Sequence, residues 1–243
     1  MREKVYCIIY LCCFLYCESL SQIGFRYGFN LANMSAGNEE TVKSKFLLRQ
    51  HFAISTKIAN VSDNTVCMLE FMFSQKGQNY FYQETFRNTD GGTYTIDTRY
   101  KNKFSYLDMP LVFHTKITEN FGLEYGAYTG LLLSGKRKGS TTTTTSGPGY
   151  ASSTNIFPED ASYSDKTKWP SGMDARRPVK PYDTGILFGF NFSLKQFLSG
   201  AVFGMRYVYG LTDVMNNNYP IKNTSRVRET HGIIQLSIMF YKN

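Results

Sequence analysis

Along most of this chain apolar residues recur at every second position, and the two faces so defined are unequal. One is nearly all Phe, Tyr, Leu and Ile; the other holds glycine and ionisable side chains. Period two is strand geometry, because successive side chains point to opposite faces of a sheet. The stretch 106–114, YLDMPLVFH, shows the constraint most sharply. Leu107, Met109, Leu111 and Phe113 share one face, while Tyr106, Asp108, Pro110 and His114 fall on the other. If the apolar face were a soluble core, Pro110 would have to sit at an edge or a bulge. The inverse arrangement, apolar face to lipid and polar face to a narrow interior, fits the charge placement better. A closed ring has no edge to excuse a missing N–H donor, so a bulge or a broken ladder bond is expected at Pro110 on the interior side.

The same alternation opens at 22–33, where Ile23, Phe25, Tyr27, Phe29 and Leu31 oppose Gly24, Arg26, Gly28 and Asn30, and it recurs in seven further segments. Short connections fall near 60–64, 118–120 and 195–199; long ones span 34–44, 77–100, 137–181 and 212–226. Alternating short and long connections between an even number of strands is the pattern of transmembrane barrels. The fold class expected is all-β: an eight-stranded antiparallel up-and-down transmembrane β-barrel over residues 22–243. Within 77–100, alternating runs flank the turn-forming NTDGG of 88–92, which predicts a protruding hairpin. The stretch 137–181 carries TTTTT at 141–145 and the breakers SGPG (146–149) and WPSG (169–172). It reads as a long polar loop, too long to be an incidental connection.

Composition sets the class and compartment. Aromatics make up 16% of residues, a strand-favouring bias. Mean hydropathy is -0.31 and no apolar run reaches the ~18 residues of a membrane helix. Residues 1–21 read as a cleaved signal peptide: Arg2 and Lys4, an apolar run over 5–17, then Ser19 and Ser21. Its removal takes two bases and two acids, so the net charge stays +8. It also takes Cys7, Cys12, Cys13 and Cys17, leaving Cys67 as a single thiol that can form neither an internal disulfide nor a zinc cluster. The positive charge is spread over strands and over a basic loop of Arg137, Lys138, Lys166, Lys168, Arg176, Arg177 and Lys180. Nucleic-acid binding would gather it on one face with stacking aromatics; a loop beside an anionic lipid surface is the simpler account. The partners expected are outer-membrane lipid and lipopolysaccharide, with an envelope protein reached through the long loops. No nucleic acid, cofactor or metal is expected, and the chain is expected to be a monomer.

Five segments carry a family resemblance: LEFMFSQKG (69–77), YLDMPLVF (106–113), YGAYTGLLLSGK (125–136), RYVYGLTDV (206–214) and IIQLSIMF (233–240). In this order the chain resembles the PorT-like outer-membrane β-barrel family of Bacteroidota. Asp108 stands where such proteins often have Glu, and a Lys-Asn tail follows Tyr241. The resemblance implies fold and location in the outer membrane of a Gram-negative cell; it assigns no activity.

The inward face collects Arg26, Arg49, Glu70, Lys76, Asp108, Glu124, Asp183 and Arg206, with Glu229 a further candidate. An eight-stranded interior is just filled by side chains, so these charges must pair or be wetted. A central network is expected in which Arg26 and Arg206 bridge Glu70, Asp108 and Glu124. Such a network plugs the barrel of a non-catalytic scaffold or surface-interaction protein; a gated pore is the alternative. A rim enzyme and a soluble lipocalin-like binder are the other classes. His51, His114 and His231 form no Ser-His-acid grouping in the sequence and are expected to be hydrogen-bonders rather than catalysts.

Overall fold

The computed structural model describes residues 23–35, 42–87, 89, 91–147, 150–158, 161–162, 179–194, 200–214 and 230–242. The expected signal peptide lies outside them. The described elements are strands: β1 (Ile23–Ser35), β2 (Val42–Lys45), β3 (Leu47–Ser62), β4 (Thr65–Arg87), β5 (Thr93–Lys116), β6 (Phe121–Gly147), β7 (Tyr150–Pro158), β8 (Ala161–Ser162), β9 (Tyr182–Ser193), β10 (Ala201–Gly210) and β11 (Thr230–Lys242). Eight of them, β1, β3, β4, β5, β6, β9, β10 and β11, form a ring in chain order, each antiparallel to its neighbours. β11 closes onto β1 from Ile23↔Lys242 to Ser35↔Thr230. Closure gives every wall strand a hydrogen-bonded neighbour on both sides, as a hydrocarbon surround demands.

The alternation read from the sequence sorts side chains as expected. In β1, Ile23, Phe25, Tyr27 and Phe29 are exposed while Gly24, Arg26, Gly28 and Asn30 are buried. Phe52, Ile54, Leu131, Phe188, Tyr207 and Phe240 continue the exposed apolar belt around the ring. These residues meet lipid, and the short turns at 63–64 and 117–120, with the short span between the end of β9 and the start of β10, mark the periplasmic end. Cys67 packs buried in the wall as a free thiol.

Pro110 behaves as its chemistry requires. It is buried on the interior face, and the β4–β5 ladder skips the pairs 70/110 and 71/109. On its other side Pro110 stays paired with Tyr128 of β6. The missing N–H therefore opens the ladder on the β4 side with no change of register.

Beyond the membrane β4 and β5 continue as the expected hairpin, from Gly77↔Lys103 to Arg87↔Thr93. Gly77 has φ +148°, and a Cβ there would lie 2.1 Å from the Asn102 carbonyl oxygen, so only glycine fits at this passage. β2 pairs with β4 on one side. The expectation of a polar loop over 137–181 is corrected for its described part, 163–178 lying outside the described residues: β6 runs on to Gly147 against β5, and β7 and β8 pair with β6. The five threonines 141–145 are strand. Threonine favours strand geometry through its branched Cβ, but a strand polar on both faces carries no hydrophobic period. A bulge at Leu133, between Ser105 and Tyr106 of β5, marks where the wall passes into this extension.

Candidate functional site

Seven of the eight charged residues expected inside are at most 2% exposed, and they form two layers. In the layer nearer the short turns, Arg26 (β1), Glu70 (β4), Glu124 (β6) and Arg206 (β10) come from every second strand of the ring. Arg206 donates Nη1 to Glu70 Oε2 at 2.7 Å and Nη2 to Oε1 at 2.8 Å, a bidentate pair. Its Nε donates to Glu124 Oε2. Arg26 Nη2 donates to Glu124 Oε1 at 3.0 Å and lies 3.3 Å from Glu70 Oε1, while Nη1 donates to Ser237 Oγ at 3.0 Å. Two guanidinium groups thus balance two carboxylates. Asn191 Nδ2 and His114 Nδ1 each stand 3.3 Å from Glu124 Oε1.

The second layer lies outward. Glu70 and Lys76 are six residues apart on β4, about 20 Å along the strand and about 15 Å along the barrel axis at the usual tilt. The Lys76 ammonium is 2.8 Å from Asp183 Oδ2 and 3.0 Å from Asp108 Oδ2. The Tyr128 hydroxyl donates to Asp183 Oδ2 at 3.0 Å, and the Tyr106 and Tyr128 rings each lie 4.6 Å from Nζ. Glycine makes the room: a Cβ at Gly130 would meet Asp108 Oδ1 at 2.1 Å, and one at Gly189 would meet Arg206 Cγ at 2.8 Å.

Apolar side chains fill the remaining lumen. Ala32, Val112, Tyr128, Leu187, Val208 and Ile233 form one buried cluster. Met34, Phe104 and Tyr106 form another with Val179 and Val214, which come from segments outside the ring and fold in as a lid. His231 stands edge-on to Phe104 and Tyr106, 6.0 and 5.8 Å between ring centroids. The His51 and His231 nitrogens meet no hydrogen-bond partner among the described residues, contrary to the hydrogen-bonding role expected of them. At the periplasmic end a cavity of about 380 Å³ opens inward between Met68, Phe121, Asn191 and Tyr241, with His114 in its lining.

The network differs from the expected one in its pairing. Asp108 belongs to Lys76 and Asp183, not to Arg26 and Arg206, because it sits six residues outward of His114, the residue paired with Glu124 across β5 and β6. Arg49 is half-buried and forms no ion pair with a described residue. Glu229 lies outside the described residues, as do Lys166, Lys168, Arg176 and Arg177. Arg137 belongs to a strand, with its guanidinium 4.0 Å above the Tyr100 ring and Nε donating to Asn102 Oδ1 at 3.3 Å. Lys138 is exposed on β6, and the Lys180 N–H donates to the Val214 carbonyl at 2.9 Å, holding the lid. Tyr106 and Tyr128 were not read as part of the network. The parity that places Tyr128 on the face of Glu124 was the available signal.

A closed antiparallel ring with an apolar outer belt and ion pairs inside defines a transmembrane barrel of the outer-membrane type. The chain belongs to the outer membrane protein beta-barrel domain family, whose model matches residues 18–216. Among solved structures it is similar to Ail, the attachment invasion locus protein of Yersinia pestis (11% identity over 91% of this chain and 99% of that one, TM-score 0.41). It is also similar to Neisserial surface protein A (9%, over 90% and 96%, 0.40). A third is OprG of Pseudomonas aeruginosa (10%, over 93% and 97%, 0.36). Among curated proteins no sequence matches.

Proposed function

We propose that the protein is a closed, non-catalytic outer-membrane scaffold that presents the sheet of β4, β5, β6 and β7 to a partner at the cell surface. The observation that carries this reading is the filled lumen: two ion-paired layers, with apolar clusters packed among them and over the outer end. Buried charges held by partners on several strands act as cross-links between walls, so the sheet outside stands on a rigid base. The lumen acids are engaged in ion pairs, which supports a structural role over acid–base catalysis. The PorT-like segments support a place in that narrower group. Residues 1–21 support export by a cleaved signal peptide, and the ring without a free wall edge supports a monomer.

The periplasmic cavity favours a second reading, a gated pore, since it brings solvent as far as His114 beside Glu124. Planar-bilayer recording separates the two. The closed scaffold predicts no conductance steps from the wild type and steps only when the layers are broken, as in R206A with K76A. Stable steps from the wild type that change in size in R206A overturn the closed reading.

A further inference from the structure

Just above the apolar belt, on the outward face of the wall, lies a block of like charge that the ion-pair layers do not involve. Lys101 and Lys138 are direct cross-strand partners, and so are Lys103 and Lys136, one pair two residues below the other. Lys45 joins from β2 through Asn79, which pairs with Lys101. All five are exposed, and none forms an ion pair with a described residue. Among the described residues, the rows that contain the four β5 and β6 lysines, and the row below them (Gln75, Ser105, Ser134), hold no acid. Asp97, the outward acid further up β5, is held by Arg99 at 2.7 Å. Like charges directly opposite in a sheet repel. The Arg49 guanidinium, burial, and then Lys101, Lys138 and Lys136 together pull the Lys103 ammonium down from the ordinary lysine pKa.

The height of the block identifies what could relieve that repulsion. Lys103 lies four residues beyond Leu107, the last apolar residue of the β5 belt: about 13 Å along the strand and about 10 Å along the membrane normal. The headgroup region adds roughly 5–8 Å to each side of the hydrocarbon, and a lysine reaches down while its stem stays on the wall. The Lys103 and Lys136 ammonium groups therefore stand at the depth of lipid phosphates, with Lys101 and Lys138 about 5 Å further out along the normal. A groove of about 570 Å³ runs beside them between Lys45, Asn79, Phe81, Lys101 and Lys138.

We propose that Lys45, Lys101, Lys103, Lys136 and Lys138 form a binding surface for the phosphorylated headgroup of an outer-leaflet glycolipid. The proposal rests on the outer-membrane reading but not on a closed lumen, so a conducting barrel leaves it intact. The charges stand on β2, β5 and β6: the β5 and β6 lysines are paired with one another across the sheet, and Lys45 adjoins them through Asn79.

The test uses the full protein, folded in detergent or in phosphatidylcholine vesicles, with and without added bisphosphorylated lipid A. Lipid carried through detergent exchange is counted by native mass spectrometry. The wild type is expected to retain bisphosphorylated lipid A. The K101Q/K103Q/K136Q/K138Q variant is expected to retain on the order of tenfold less, the loss of a few charge-assisted contacts. Dephosphorylated lipid A is expected to be carried by neither protein. Heat-modifiable gel mobility reports folding independently: without lipid A the variant should be at least as heat-resistant as the wild type, because the repelling pairs are gone. With lipid A the order should reverse. Equal retention by wild type and variant overturns the proposal, as does equal retention of the dephosphorylated lipid. Relief of the wild type by inorganic phosphate alone, with no further gain from lipid A, overturns the lipid as the source.

Discussion

Removing Arg206 tests whether the inner layer is a balanced unit. In R206A, Glu70 and Glu124, each at most 1% exposed, are left to share Arg26. Three charge-assisted hydrogen bonds disappear with the guanidinium. Breaking a buried ion pair by deleting one partner costs about 3–5 kcal/mol, mostly the penalty of the charge left behind. If that account is right, neutralising the stranded acid recovers much of the loss. R206M/E70Q keeps the Arg26–Glu124 pair and fills most of the space, so its cost should fall to about 2 kcal/mol or less. The assay is denaturant unfolding of the barrel in vesicles, followed by far-UV circular dichroism and heat-modifiable mobility. A coupling of at least about 2 kcal/mol between the two positions is expected. The reasoning is refuted if R206A costs less than about 1 kcal/mol, or if R206M/E70Q is no more stable than R206A.

Three further changes probe the outer layer, the proline and the extension. In G130A the new methyl group displaces the Asp108 carboxylate from Lys76, at a cost of about 1–3 kcal/mol; with D108A already in place the same change should cost markedly less, and additive losses in unfolding would count against the clash. P110A restores an N–H facing the gap in the β4 ladder. It should leave stability unchanged or raise it by up to about 1 kcal/mol, with slow amide exchange at 110, and a loss beyond about 2 kcal/mol would mean the gap has another origin. T143P removes a donor from the strand that Ile96 and Asn155 flank. It should raise protease cleavage within 137–158 while the barrel keeps its heat-modifiable mobility; unchanged cleavage would show that the threonine run is not held as strand.

What could be read in advance follows from where the physics is local. Apolar alternation is written residue by residue, so the wall strands, their lipid face and the hairpin turning at 88–92 were legible. Proline's missing donor is equally local, and the broken bond at Pro110 falls on the interior side as its parity required. The threonine strand was not legible, because both its faces are polar and its order comes from pairing with Thr93–Ser146 register partners and with β7. Val179 and Val214 gave no warning either: neither belongs to an alternating apolar run, and only the mouth of the closed ring makes them a lid.

The pairing of charges separates the two kinds of information most clearly. Parity alone brings Arg26, Glu70, Lys76, Asp108, Glu124, Asp183 and Arg206 inside, but parity has no height. Height comes from the tilt of the strands and the stagger between them, which depend on all eight pairings together. One layer is neutral by formal charge and takes its four members from alternate strands. The other sets two carboxylates against one lysine between two tyrosine rings. The same property decides the exterior lysines, which become neighbours only when β5 and β6 are laid side by side. Charge inside this barrel is met by charge from facing walls, whereas charge on its outer rim has no such wall. On the proposed reading its balance comes from the membrane, and that is why the lysine variants should gain stability without lipid and lose it with lipid.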